Sequence, residues 1–191
     1  MKLIEIRFHG RAGQGIVTAA DLVAVAAGFE NKYSQAFPFF GSEKRGPPVT
    51  SYCRVSSKPI TIHEQVREPH VVVVADATVM GAVDVAAGLR ENGLILVNAR
   101  GERLQALRAP ASARVHVIDG NEIALKHFGK LITNTVMLGA LAKATDVVSL
   151  ESIKKALRER FPQKIAEENV SVVQECYDLF KGEKIFFEKQ L

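Results

Sequence analysis

Residues 2–8 set apolar Leu3, Ile4, Ile6 and Phe8 against charged Lys2, Glu5 and Arg7, close to an alternation. A period of two predicts a strand. After GRAGQG at 10–15, residues 16–27 are apolar almost all round and rich in alanine, which predicts a buried helix closed by Gly28. Strand, glycine turn and helix in that order open an α/β fold. A short strand is predicted at 33–36. A longer one at 49–55 puts Val49, Ser51, Cys53 and Val55 on one face. Lys58-Pro59 marks a turn, and residues 60–62 are expected to pair back. Residues 70–75 hold VVVVA, a β-branched run without a polar face, which predicts a central strand covered on both sides. A small-residue helix at 77–89 and strands at 93–98 and 114–118 follow. Beyond Asp119 the pattern turns helical, over 121–128, 135–144, 150–161 and 164–180. Ser149 caps the third of these and Pro162 parts the last two. The closing KIFFEKQL predicts a tail with two exposed phenylalanines. The expected fold is α/β, a largely parallel, Rossmann-like sheet with flanking helices and a helical C-terminal part from about 121. The chain shows no linker or internal repeat, so 1–191 is expected to be a single domain.

Composition narrows the function. Hydrophobic residues make up 47% of 191 positions, enough for a sizeable core. No apolar run approaches the ~18 residues of a membrane span, and the N-terminus lacks the apolar region of a signal peptide. A cytoplasmic location is therefore expected, with no membrane partner. The net charge of +4 suits an anionic small ligand, and no Lys/Arg run points to nucleic acid. Cys53 and Cys176 are the only cysteines, whereas an iron–sulfur cluster takes about four thiolates. The chain is not expected to hold a typical cluster alone. The five histidines show no HExxH spacing, so no metal site is predicted.

Three motifs carry candidate chemistry. Gly10, Gly13 and Gly15 are spaced GxxGxG, which is neither the GxGxxG dinucleotide fingerprint nor a P-loop. Glycines at a helix N-terminus still let backbone N–H groups approach a phosphate or carboxylate, and a side chain at Gly15 would block that approach. Arg11 adds a charge and Gln14 a second polar arm. The competing reading is a tight turn only. Asp76, after VVVVA, falls where open α/β sheets bind ligands, or else caps a helix. In NTVMLGAL, Thr133 or Asn134 caps a helix, Gly139, Ala140 and Ala142 permit close packing, and Asn134 is a candidate ligand residue. The stretch AFPFFGSEKRGPP sets Phe37, Phe39 and Phe40 beside Glu43, Lys44 and Arg45, stiffened by Pro38, Pro47 and Pro48. Aromatics and arginine carry interface energy, so this is either a docking surface or a loop folded onto the chain's own core. No nucleophile elbow, paired carboxylates or complete NAD or flavin signature is present. A non-catalytic subunit is the favoured reading. A free-standing nucleotide-binding reductase and a ligand-free scaffold remain alternatives.

GRAGQGIVTAADLVAVAA, YSQAFPFFGSEKRGPPV, VVVVAD and NTVMLGALAKAT, in that order and spacing, resemble the gamma subunit of 2-oxoacid:ferredoxin oxidoreductases, especially the pyruvate and 2-ketoisovalerate enzymes. The resemblance runs over about 2–180, and FPFFGSEKRGPPV is its most specific part. It implies a complex that oxidatively decarboxylates a 2-oxoacid, transfers the acyl group to coenzyme A and reduces ferredoxin. Thiamine diphosphate and [4Fe–4S] clusters would lie on alpha, beta and delta partner subunits, so this chain would contribute no catalytic residue and meet ferredoxin indirectly. Gly10, Arg11, Gly13, Gln14, Gly15 and Asn134 would help bind coenzyme A. Phe37, Phe39, Phe40, Glu43, Lys44 and Arg45 would contact other subunits. Ala12 departs from the pattern, standing where many members have glycine; a positive φ there would be strained.

Overall fold

A computed structural model describes residues 2–39 and 48–187. Its six-stranded sheet is ordered β2-β3-β1-β4-β5-β6: β1 (Ile4–Arg11), β2 (Tyr33–Phe39), β3 (Pro48–Ser56), β4 (Val71–Val74), β5 (Leu94–Asn98) and β6 (Arg114–Ile118). β1, β4, β5 and β6 are mutually parallel. β3 runs antiparallel to both β1 and β2, making the sheet mixed but mostly parallel, as the alternation of strands and helices predicts. Among the described residues five α-helices flank the sheet: α1 (Ile16–Phe29), α2 (Gly120–Phe128), α3 (Val136–Ala144), α4 (Leu150–Arg160) and α5 (Gln163–Leu179). Among the described residues, no helix is long and apolar enough to cross a membrane.

The valine run is divided between two cores. Val71 and Val73 join the layer beneath the helices, while Val72 and Val74 join a second cluster with Val79, Met80, Ile95 and Val97 on the other face. Each buried valine side chain contributes roughly 1.5–3 kcal/mol relative to exposure. That accounts for a strand with no polar face at the centre of the sheet. Ser149 caps α4 by accepting from the Ser152 N–H, as its place before the apolar periodicity predicts.

Several boundaries and elements differ from expectation. Gly28 does not end α1, which continues to Phe29. The stop comes from Asn31 at φ 57°, with the Asn31 and Lys32 N–H groups donating to Gly28 and Ala27 carbonyls in a Schellman arrangement. The helix expected at 77–89 is only a 3-10 turn, Ala77–Gly81, followed by turns. Buried Arg7 donates to the carbonyls of Val85 (2.9 Å) and Ala87 (2.6 Å), and Gly88 turns at φ 70°. Residues 60–62 form no strand, because Arg54 takes the carbonyls of Ile62 (3.4 Å) and Glu64 (2.7 Å). The tail exposes only one of its two phenylalanines. Phe186 is exposed, whereas Phe187 is buried edge-on against His70, its N–H donating to Asp146.

Candidate functional site

β1 and β4 are parallel neighbours that end at the same rim of the sheet. Beyond the rim their chains part. β1 leads into α1 on the helical face, and β4 leads into 77–89 on the other. Such a divergence leaves the crevice in which open α/β sheets bind ligands. GRAGQG lies in it.

The three glycines serve different ends. Gly13 and Gly15 sit at φ 83° and 72°, a region that other residues enter at a cost. Gly10 stays in β1, and its missing Cβ makes room for Ile16. Ala12 is not among the positive-φ residues, so its departure from glycine strains nothing. At Gly15, the N-cap of α1, a Cβ would overlap the carboxamide of Asn134. The bulk that Gly15 avoids is therefore that of the protein itself. Asn134 Nδ2 donates to the Gly15 carbonyl at 3.1 Å. Its Oδ1 is buried without a hydrogen-bond partner.

Asn134 and Thr133 do not cap α3. Thr135 occupies the N-cap position and makes no side-chain cap. All three side chains serve tertiary partners instead: the Thr133 hydroxyl donates to the Ala75 carbonyl (2.9 Å), the Thr135 hydroxyl to Asn169 Oδ1 (2.7 Å), and Asn134 to Gly15. The start of α3 is thus brought against the start of α1. Neither helix has a side-chain cap or an acidic residue in its first turn. First-turn N–H groups have no intrahelical acceptor and carry partial positive charge.

The polar arms of the glycine loop are held from β4. Gln14 Oε1 accepts from the Arg11 main-chain N–H at 2.7 Å, and Gln14 Nε2 donates to Asp76 Oδ2 at 2.7 Å. Asp76 Oδ1 accepts from the N–H (2.9 Å) and hydroxyl (2.6 Å) of Thr78, capping Ala77–Gly81. Arg11 Nε donates to Thr78 Oγ1 at 2.9 Å and lies 3.7 Å from Asp76 Oδ2. Partial burial raises the Asp76 pKa, but the hydrogen bonds from Thr78 and Gln14 and the Arg11 charge outweigh it and leave the carboxyl below its ordinary value. Capping by Asp76 was legible from the chain. Its grip on Gln14, across 62 positions, was not, nor was any part for Thr78.

Phe37 and Phe39 fall on alternate positions of edge strand β2. Phe37 is half-buried, its ring 5.2 Å from that of Tyr52 and 5.3 Å from the Arg54 guanidinium carbon. Phe39 is exposed. Phe40, Glu43, Lys44 and Arg45 lie outside the described residues. Cys53 and Cys176 are both buried in the helical-face core, and burial pushes the Cys176 thiol up to about 12. A cleft of about 640 Å³ along β6, α2 and the end of α5 shares no residue with the glycine-loop crevice.

Comparison with known proteins agrees with this architecture. The profile of the pyruvate ferredoxin/flavodoxin oxidoreductase family matches residues 5–179. The "pyruvate/ketoisovalerate oxidoreductases common subunit gamma" of Pyrococcus furiosus is 48% identical over 179 residues, covering 92% of this chain and 96% of that protein. The pyruvate oxidoreductase subunit PORC of Thermotoga maritima is 36% identical with a TM-score of 0.79, over 93% of this chain and 97% of that one. The 2-oxoglutarate:ferredoxin oxidoreductase of Magnetococcus marinus, with 2-oxoglutarate, coenzyme A and succinyl-CoA bound, shares the fold at TM-score 0.78. It is 18% identical, over 97% of this chain and 33% of that one, a likeness of fold alone. With nearly its whole length matched at this identity, the chain belongs to the pyruvate ferredoxin/flavodoxin oxidoreductase family, as a gamma subunit of a 2-oxoacid:ferredoxin oxidoreductase.

Proposed function

We propose that this subunit helps bind coenzyme A and joins its complex through the β2 edge. One observation carries the first part: the uncapped N-terminus of α1 meets the Asn134 carboxamide in the β1–β4 crevice, with Arg11 beside it. Helix-terminal N–H groups, glycines that admit close approach and a guanidinium together form a receptor for phosphate groups. Coenzyme A carries a pyrophosphate and a 3′-phosphate, and its thiol accepts the acyl group formed by oxidative decarboxylation of the 2-oxoacid, whose two electrons go to ferredoxin. Gly10, Gly13 and Gly15 shape the backbone, Arg11 and Gln14 supply polar arms, and Asn134 adds a buried carboxamide. The Arg11 side chain is 39% exposed, so solvent and a dissolved anion can reach it.

Thiamine diphosphate, the [4Fe–4S] clusters and contact with ferredoxin are assigned to alpha, beta and delta partners. For the clusters, the support is that both cysteines of this chain are buried core residues with raised thiol pKa values. For assembly, the support is an edge strand ending in exposed Phe39 beside the FGSEKRGPP stretch.

The test is Arg11→Ala in the assembled enzyme. Losing a hydrogen bond to a charged group costs roughly 1.5–3 kcal/mol, so KM for coenzyme A should rise about tenfold or more. KM for the 2-oxoacid, and carbon dioxide exchange without coenzyme A, should stay near normal. Unchanged coenzyme A kinetics would reduce the loop to a tight turn.

A further inference from the structure

We infer that Asp76 is a positioning residue of the coenzyme A site, the acceptor that fixes Gln14 directly and Arg11 through Thr78 so that the glycine loop meets an anionic group in one geometry. This rests on the reading of the loop proposed above.

The polarity of the hydrogen bonds requires a carboxylate. The Arg11 main-chain N–H donates to Gln14 Oε1. That commits the carboxamide, so Gln14 turns its Nε2, a donor, toward residue 76. From the other side the N–H and hydroxyl of Thr78 also donate to residue 76. Residue 76 therefore needs two acceptor oxygens facing opposite ways. Aspartate supplies both, whereas asparagine has a single acceptor oxygen and would leave one side facing an N–H group. The Asp76 side chain is 18% exposed and its bond to Gln14 is part-buried, so on that side water does not readily replace a lost partner.

The Thr78 hydroxyl extends the hold, donating to Asp76 and accepting from Arg11 Nε. Arg11 is thereby tethered to the loop after β4, while the α1 donors belong to the loop after β1. An anion lying between the loops meets both. Asp76 also repels such an anion, so its removal has two opposite consequences: repulsion falls, and the arms lose their order. The inference is that order dominates.

The experiment uses the assembled oxidoreductase carrying Asp76→Asn, Asp76→Ala, Arg11→Ala and the Arg11→Ala/Asp76→Ala pair. The readouts are KM for coenzyme A, KM for the 2-oxoacid, kcat, and carbon dioxide exchange without coenzyme A. Both Asp76 variants should raise KM for coenzyme A about fivefold or more, with kcat and exchange within about twofold of wild type. The double variant should raise KM by less than the product of the single effects, because Asp76 acts partly through Arg11. A KM that stays level or falls in the Asp76 variants, while Arg11→Ala raises it, overturns this inference and leaves the coenzyme A reading standing. Normal KM in Arg11→Ala overturns both. Equal losses in every readout would make Asp76 a fold residue and also overturn the inference. Asp76→Asn is isosteric and retains an acceptor for Thr78, so it decides the matter if Asp76→Ala does not assemble.

Discussion

His9 should make the folded chain measurably weaker in mild acid. The residue is 3% exposed, its Nε2 has no hydrogen-bond partner, and its Nδ1 lies 3.4 Å from the Thr50 hydroxyl. Burial, and next the positive charge of Arg7, push its pKa down to about 3. An unfolded histidine titrates near pH ~6.5. Between those values the unfolded chain takes up a proton that the native one refuses, so stability rises with pH. The contribution of a neutral His9 is therefore complete above the unfolded value and is lost as pH falls from there through the folded one. Each pH unit inside the window is worth about 1.4 kcal/mol, and the loss from pH 6 to pH 4 comes to roughly 2.5 kcal/mol. The assay is urea denaturation of the purified chain at pH 6, 5 and 4, wild type against His9→Gln. Subtracting the two curves cancels groups common to both, including His70, whose pKa burial and the Arg90 charge lower to about 4. The wild type should lose about 2.5 kcal/mol more than the variant over that range. A difference that stays constant with pH, or an imidazole NMR titration of His9 near its ordinary value, would refute the reasoning.

Two further outcomes follow from packing. Gly139→Ala should destabilise the chain by about 1–3 kcal/mol despite alanine's better helix propensity, because the added methyl presses on the Val173 carbonyl, on Cys176 Cβ at 2.9 Å and on the Tyr177 nitrogen at 3.0 Å. A urea midpoint unchanged or raised would show that α3 and α5 have room to separate. Phe39→Ala should weaken association with the partner subunits by about 2 kcal/mol while leaving the isolated chain's melting temperature unchanged. Titration of labelled chain with its partners measures the first and thermal unfolding the second; a lowered melting temperature with normal assembly would place Phe39 in the chain's own core.

Much of the architecture was legible because it is written in local periodicity. A run of four valines has no polar face, so it fits only a strand covered twice. Residues 16–27 are apolar almost all round and fit a helix packed on the core, although Asp21 and Val25 lie exposed on its outer side, and Ser149 stands where an N-cap must. The glycine loop was placed correctly because a strand, three glycines and a helix leave it one location, the rim of the sheet. Other features answer to partners far along the chain, which no local window contains. Residues 77–89 carry helical composition, yet Arg7 from β1 takes two of their carbonyls. Phe187 resembles a loose end until His70 and Asp146 receive it. Asn134 looks like a cap, yet its amide rests on Gly15, 119 positions away. Asp76 looks like a cap and is one, but its second oxygen reaches back to β1's loop. Periodicity reports which side of an element is buried. The partner that a buried polar group must find is settled only when strands and helices distant in sequence are packed together, since an unpaired donor or acceptor is costly wherever water is excluded.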